Sequence, residues 1–206
     1  MLYDITPPID ETLSVWPGDT PPSRELHSDI RNGAASTSSV LRTTVHLGAH
    51  ADAPSHYGID GQDIAERALD YYLGRCQVIR VTAARRTPIE PEDLTDPVEA
   101  ERVLVATGTY ANRPVFDKDF AALSLRLIDF FAEQRVKLVG IDTPSVDLFG
   151  AAGLPVHRRF LKHDMALLEG LVLQDVPAGI YELIALPLKL VGFDGSPVRA
   201  VLRTQE

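Results

Sequence analysis

Cysteine is nearly absent: the chain holds one, Cys76, together with two methionines and a single tryptophan. A lone thiol closes no internal disulfide, so Cys76 reads as a small buried hydrophobe rather than part of a disulfide framework. Positive charge is also short. Twenty Lys and Arg stand against 29 Asp and Glu, a formal net charge of −9. That balance excludes a phosphate-tracking surface, and no nucleic-acid partner is expected. The opening "MLYDITPPIDETLSVWPGD" lacks a basic segment followed by an apolar one, so no secretory signal is expected. The longest apolar stretches, such as "YELIALPLKLVGF", are broken by charge or proline and fall short of the roughly 20 residues that span a bilayer. Internal repeats, low-complexity tracts and linkers are missing too. Together these absences predict a soluble cytoplasmic protein with no membrane contact, folded as a single domain over residues 1–206.

What is present is an ordinary globular composition, with 45% hydrophobic and 24% charged residues. Seven runs read as strands from β-branched enrichment between turn residues: 2–6, 41–47, 76–83, 102–109, 136–143, 181–190 and 197–204. "SLRLIDFFAEQR" (124–135) has helical spacing, with Leu127, Ile128 and Phe131 on one side and Arg126, Asp129 and Glu133 on the other. "GQDIAERALDYYLG" (61–74) carries a weaker helical pattern of a turn or two. The helix at 124–135 runs straight into "VKLVGIDT", which is an α/β connection. The expected fold is therefore a strand-rich α/β arrangement with a mixed, partly barrel-like sheet and few helices.

The chemistry is concentrated in "VHLGAHADAPSHY" (45–57), which holds three of the chain's six histidines and an aspartate: His46, His50, Asp52 and His56. A helix does not suit this stretch, because Thr43, Thr44 and Val45 are β-branched and Gly48 and Pro54 interrupt it. In an extended chain the even positions share a side. A straight strand still fails, since residues four apart would stand about 13 Å from each other, whereas ligands of one ion lie about 2 Å from it. The segment is expected to run as a strand and then bend, with Gly48 and Pro54 as the bending residues. Imidazole and carboxylate without thiolate suit divalent zinc or a similar ion.

One segment rarely completes a metal site. "PVHRRFLKHDMALLEGL" (155–171) offers His157, His163 and Glu169. Glu169 sits among apolar neighbours, where a lone carboxylate costs several kcal/mol unless paired or metal-bound. It reads equally as a ligand or as a rim residue, and spacing does not separate His157 from His163.

"HLGAHADAPSH" resembles the H-x-G-T-H-x-D-x-P-x-H motif of the metal-dependent cyclase-like hydrolases, most closely their bacterial arylformamidase branch, the kynurenine formamidases. "VWPGDTP" (15–21), "GIDTPSVD" (140–147), "LEGLVLQDVPAGIYELIALPLKL" (168–190) and "SPVRAVLR" (196–203) are similar to the same branch. The likeness runs along nearly the whole chain and is weakest over 84–100. Ala49 departs from the motif's usual threonine, at a position between the ligands that points away from them.

The resemblance implies a swivelling β/β/α type of fold, a homodimer, and two Zn²⁺ per subunit, with Mn²⁺ or another divalent ion as a substitute. It implies hydrolysis of N-formyl-L-kynurenine to L-kynurenine and formate in tryptophan degradation, the substrate being a small aryl formamide. Matched by position, His46, His50, Asp52, His157 and Glu169 are metal ligands, with Asp52 bridging. His56 is the catalytic proton shuttle, and Trp16 is an aromatic of the substrate pocket. Paired ions lower the pKa of water toward neutrality, and a histidine of ordinary pKa near 6.5 can protonate a departing aryl amine. Asp142 and Asp147 read as loop-shaping residues near the site, and Tyr57 as a possible pocket residue. The alternative is a sister hydrolase of a cyclic amide or lactone such as isatin. A serine hydrolase is disfavoured because no G-x-S-x-G elbow occurs.

Overall fold

The computed structural model describes residues 1–110 and 115–204. Its strands are β1 (Leu2–Asp4), β2 (Ser23–Ser28), β3 (Ser38–Arg42), β4 (His50–Asp52), β5 (Leu73–Arg80), β6 (Pro88–Ile89), β7 (Arg102–Ala106), β8 (Ala122–Leu123), β9 (Leu138–Ile141), β10 (Ala166–Glu169), β11 (Gly179–Ile184), β12 (Gly195–Pro197) and β13 (Val201–Thr204). Two α-helices, α1 (Leu125–Glu133) and α2 (Pro155–Lys162), and four single 3₁₀ turns complete the described elements. Nine strands form one curled, half-barrel sheet in the order β1-β13-β11-β5-β7-β9-β10-β4-β12. The neighbours from β5 through β7 and β9 to β10 pair in parallel, and the flanking pairs are antiparallel, so the sheet is mixed. This is the strand-rich α/β architecture the sequence leads one to expect.

The central strands are apolar on both faces because both faces are covered. In β7, Leu104 and Ala106 join one core while Val103 and Val105 join the other, which α1 and α2 cover. Helix α1 starts at Ser124, whose side chain accepts the Leu127 N–H as an N-cap. It buries Leu127, Ile128 and Phe131, each such side chain stabilising the fold by about 1.5–3 kcal/mol.

The same alternation sorts the chemistry. In β10, Ala166 and Leu168 face the first core and Leu167 the helix-covered one, so Glu169 falls on the helix side. In β4, Ala51 faces the first core, which turns His50 and Asp52 to the helix side as well. Strands β4 and β10 are antiparallel with Glu169 opposite His50. Helix α2 lies against this end and buries Val156, His157 and Phe160.

Local expectations differ from what is found in several places: the strand expected over 181–190 ends at Ile184, and β10 lies outside the seven expected runs. The strand expected over 41–47 ends at Arg42, residues 43–49 bend, and the chain returns to a strand at His50 before turning again at Pro54–His56, so the two expected bending residues, Gly48 and Pro54, flank β4. Gly48, at φ +55, takes the first bend. Residues 61–72 form turns and a single 3₁₀ turn at Leu69–Tyr71, in keeping with the weak pattern of a turn or two, and the wholly buried Tyr72 leads into β5. Helix α2 has no clear apolar stripe in the sequence, since one of its three buried positions is a histidine. Among the described residues, no helix is long and apolar enough to cross a membrane.

Candidate metal centre

His50, Asp52, His157 and Glu169 form a closed ring of alternating imidazoles and carboxylates. His50 Nε2 lies 3.4 Å from Asp52 Oδ1 and 3.3 Å from Glu169 Oε2. His157 Nε2 lies 3.4 Å from Asp52 Oδ2 and 3.3 Å from Glu169 Oε1. All four side chains are buried. Each histidine is turned by a contact at its other nitrogen. His50 Nδ1 sits 3.0 Å from the Gly48 carbonyl, and His157 Nδ1 sits 2.7 Å from Asp147 Oδ2. Such partners fix the tautomer and aim Nε2 inward.

His46 and His56 adjoin this ring on its more open side. His46 Nδ1 is 2.8 Å from Asp52 Oδ1, and the His46 and His56 ring centroids are 4.2 Å apart. Two groupings therefore have donor atoms close enough for one ion each: His50, Asp52 and Glu169, and His46, Asp52 and His56. Asp52 belongs to both.

The ligand-bearing segments meet through a close backbone approach. A Cβ on Gly170, the residue after Glu169, would stand 1.9 Å from the Gly48 carbonyl oxygen, and Gly170 has φ +66. Only glycine fits there. Asp147 ties α2 to the site in a similar way, accepting the backbone N–H groups of Val156 and His157 in the first turn of the helix. Asp142 accepts from the N–H groups of Thr107 and Gly108 and so shapes the neighbouring loop.

The electrostatics suit a cation. Burial opposes charge on Asp52, yet the imidazoles of His46, His157 and His50 hold its carboxyl well below the usual range. Burial likewise opposes the charge on His46, but Asp52 and Asp194 push its pKa up to about 9. His157 is raised in the same sense, against its burial, by Asp147, Asp52 and Glu169. Asp52 Oδ2 remains buried without a hydrogen bond, a state that normally calls for a partner. Three histidines, an aspartate and a glutamate, with an orphaned carboxylate oxygen among them, fit a divalent ion.

A cavity of about 450 Å³ opens on this ring, with His46, His50, His56, His157 and Glu169 on its floor. Trp16, Tyr110 and Phe116 contribute aromatic wall. Trp16 packs edge-on against Phe116 at 5.4 Å and lies tilted on Phe149 at 5.0 Å. Tyr57 does not line the cavity; its buried ring packs 5.4 Å from that of His157. His163 is turned away, with Nε2 2.7 Å from Asp129 Oδ1. The structure therefore gathers His46, His50, Asp52, His56, His157 and Glu169 and places Trp16 at the same cavity. It adds Asp194, which no motif in the sequence marks: Asp194 Oδ2 lies 3.1 Å from His46 Nε2 and 3.2 Å from His56 Nδ1.

The Cyclase family model, described as "Putative cyclase", matches residues 3–148, a span that contains the whole 46–56 motif. The chain belongs to the cyclase family. Two solved structures are each 30% identical to this cyclase-family chain. One is described as a potential metal-dependent hydrolase with cyclase activity, covering 100% of this chain and 98% of its own with a TM-score of 0.85. The other is described as a predicted metal-dependent hydrolase from Bacillus stearothermophilus, covering 98% and 97% with a TM-score of 0.82. Isatin hydrolase A from Labrenzia aggregata shares the fold at 22% identity, covering 100% and 94% with a TM-score of 0.84.

Proposed function

We propose that this cyclase-family chain is a metal-dependent arylformamidase that hydrolyses N-formyl-L-kynurenine to L-kynurenine and formate. The observation that carries the reading is the ring of His50, Asp52, His157 and Glu169 on the floor of an aromatic-walled cavity, with His46 and His56 beside it. The N-terminal "VWPGDTP" and the "LEGLVLQDVP" stretch favour a linear formamide over a ring substrate through their resemblance to the formamidase branch.

In this reading His46, His50, Asp52, His157 and Glu169 would hold two divalent ions, zinc or manganese, Asp52 being the residue common to both donor groupings. Bound there, the ions supply Lewis acidity toward the formyl oxygen and acidify water. Trp16 offers its ring to the aryl group, an offset contact worth about 0.5–1.5 kcal/mol beyond the area it buries. The attack of water forms a C–O bond, and the proton that water gives up goes to His56. His56 then delivers it to the aryl nitrogen as the C–N bond breaks, which releases the amine neutral and not as a poor anionic leaving group. The same reading takes the working form as a homodimer. Its support is the ribbon of β2 and β3, which pairs only with itself among the described strands and leaves Leu26, Val40 and Leu41 exposed.

A metal analysis paired with a substrate panel tests the proposal. Turnover of N-formyl-L-kynurenine that is lost on chelation and restored by zinc or manganese is the expected outcome. The fold shared with isatin hydrolase A makes isatin the necessary comparison. Faster turnover of isatin than of N-formyl-L-kynurenine removes the assignment and leaves a cyclic-amide hydrolase.

A further inference from the structure

Asp194 is the last residue before β12, and its place is set by the sheet. Gly195 pairs with Asp52, and the Ala53 N–H donates to the Asp194 carbonyl at 2.9 Å. The backbone of residue 194 is thereby held beside the motif, although the two are far apart in sequence. Its carboxylate reaches both of the more accessible histidines, at 3.1 Å from His46 Nε2 and 3.2 Å from His56 Nδ1. His56 rides on a single 3₁₀ turn, Pro54–His56, and Asp194 is the only hydrogen-bond partner of its ring among the described residues. Without that contact nothing polar would select one ring orientation.

We propose that Asp194 is the positioning residue of His56: its carboxylate accepts the Nδ1–H, which fixes the ring and leaves Nε2 as the nitrogen that moves the proton. The inference rests on the reading that His56 is the proton shuttle. A neutral imidazole carries one N–H, and an acceptor carboxylate at Nδ1 selects the tautomer with its lone pair on Nε2. Water gives its proton to Nε2 as the C–O bond forms. When the C–N bond breaks, its electron pair stays on nitrogen, which takes that proton back from Nε2. The imidazole is neutral again, Nδ1–H still rests on Asp194, and Asp194 stays ionised throughout. Neither ion-sized grouping of donors includes Asp194, and its side chain is half exposed, so it stands outside the buried ring.

The test compares the metal-loaded wild type with His56→Ala and Asp194→Asn on two substrates. An aryl formamide needs a protonated leaving group. 4-Nitrophenyl formate leaves as a stable phenolate and needs none. Asp194→Asn is expected to lose about 10²-fold in kcat on the formamide, the low end of general acid–base contributions. Its KM is expected to stay near the wild-type value, and its loss on the ester, which draws on His56 only to take the proton of water, is expected to be clearly smaller than its loss on the formamide. In the wild type, ¹⁵N NMR of the metal-free protein should report the Nδ1–H tautomer at His56, with a mixture in Asp194→Asn. Loss of formamide turnover in His56→Ala but not in Asp194→Asn overturns this inference alone, whereas full turnover in His56→Ala removes the shuttle reading beneath it. Loss of metal in Asp194→Asn assigns the carboxylate to the support of His46 instead, and equal loss on both substrates makes it merely structural. Either result overturns the positioning role. An Nε2–H tautomer at His56 in the wild type does so without any variant.

Discussion

Asp147 Oδ2 stands 2.7 Å from His157 Nδ1, and the same carboxylate accepts the backbone N–H groups of Val156 and His157. One side chain thus caps the first turn of α2 and aims its histidine at Asp52 and Glu169. Asp147→Asn should keep much of the cap and weaken the aim. The expected result is a metal affinity lower by roughly 10–100-fold, read by calorimetric titration with zinc. Unchanged affinity would show that His157 needs no such partner.

Metal loading should stabilise the folded state, because the ring brings two buried carboxylates together. An ion present at about 100 times its dissociation constant adds about 2.7 kcal/mol, visible as a higher melting temperature. A melting temperature indifferent to zinc, manganese and chelator alike would leave the ring without its cation.

Trp16 lines the cavity while packing on Phe116 and Phe149. Trp16→Ala should raise KM for the formamide by roughly two- to tenfold, the equivalent of an aromatic contact, with a smaller change in kcat. Trp16→Phe should retain most of the affinity. An unaltered KM in the alanine variant, in a protein that remains folded, assigns Trp16 to packing alone.

Gly170→Ala introduces a Cβ 1.9 Å from the Gly48 carbonyl oxygen, at a φ of +66 that side chains rarely adopt. Backbone meets backbone here, so no side-chain rotation relieves the overlap. The variant should unfold at lower denaturant and bind metal poorly although every ligand is intact. Wild-type stability would mean that the two segments separate without cost.

A pH-dependent term should come from the far side of α2. Buried Arg67 lies 4.0 Å above the Tyr71 ring and pairs with Asp164, which also accepts from the Tyr71 hydroxyl. Although partial burial works the other way, Arg67 and Tyr71 hold the Asp164 carboxyl below its ordinary 3.8. A depressed carboxylate stabilises the fold above its unfolded pKa, and that contribution fades as pH falls through the folded value. Asp164 is mostly exposed, so the contribution is about 1 kcal/mol at most. Asp164→Asn should be less stable than wild type at pH 6 and equal to it near pH 2. A gap that persists in acid would point to packing instead.

Much of the centre was legible because most of its donors belong to short-range patterns. His46, His50, Asp52 and His56 lie in one motif, Glu169 lies in the resembling stretch 168–190, and His157 is matched only by its position in the family, since spacing does not separate it from His163. Residue chemistry alone left Glu169 divided between rim and ligand; the pairing of Glu169 with His50 across β4 and β10 is what turns it inward. Asp194 carried no such signal, because only the register of β12 against β4 brings it to the histidines. Phe116, Phe120 and Phe149 escaped for a similar reason, as isolated aromatics that cluster around Trp16 only in the folded chain. The strand over 41–47 reads five residues too long because β-branched Thr43, Thr44 and Val45 favour an extended chain, whereas the bend that contains Gly48 already begins after Arg42. The strands of the central sheet were easier, since burial on both faces leaves unbroken apolar runs.

The direct pairing of His50 with Glu169 gives a bound ion a mechanical part as well. The chain has no disulfide to restrain its unfolded form. Donors on facing strands, drawn from remote parts of the polypeptide, would let one cation clasp the sheet edge shut and close a very long loop, the task a cross-link performs in secreted domains. Removing the ion would then loosen β4 from β10 before any other part of the sheet, and amide exchange along that single seam is where the slackening should first be felt.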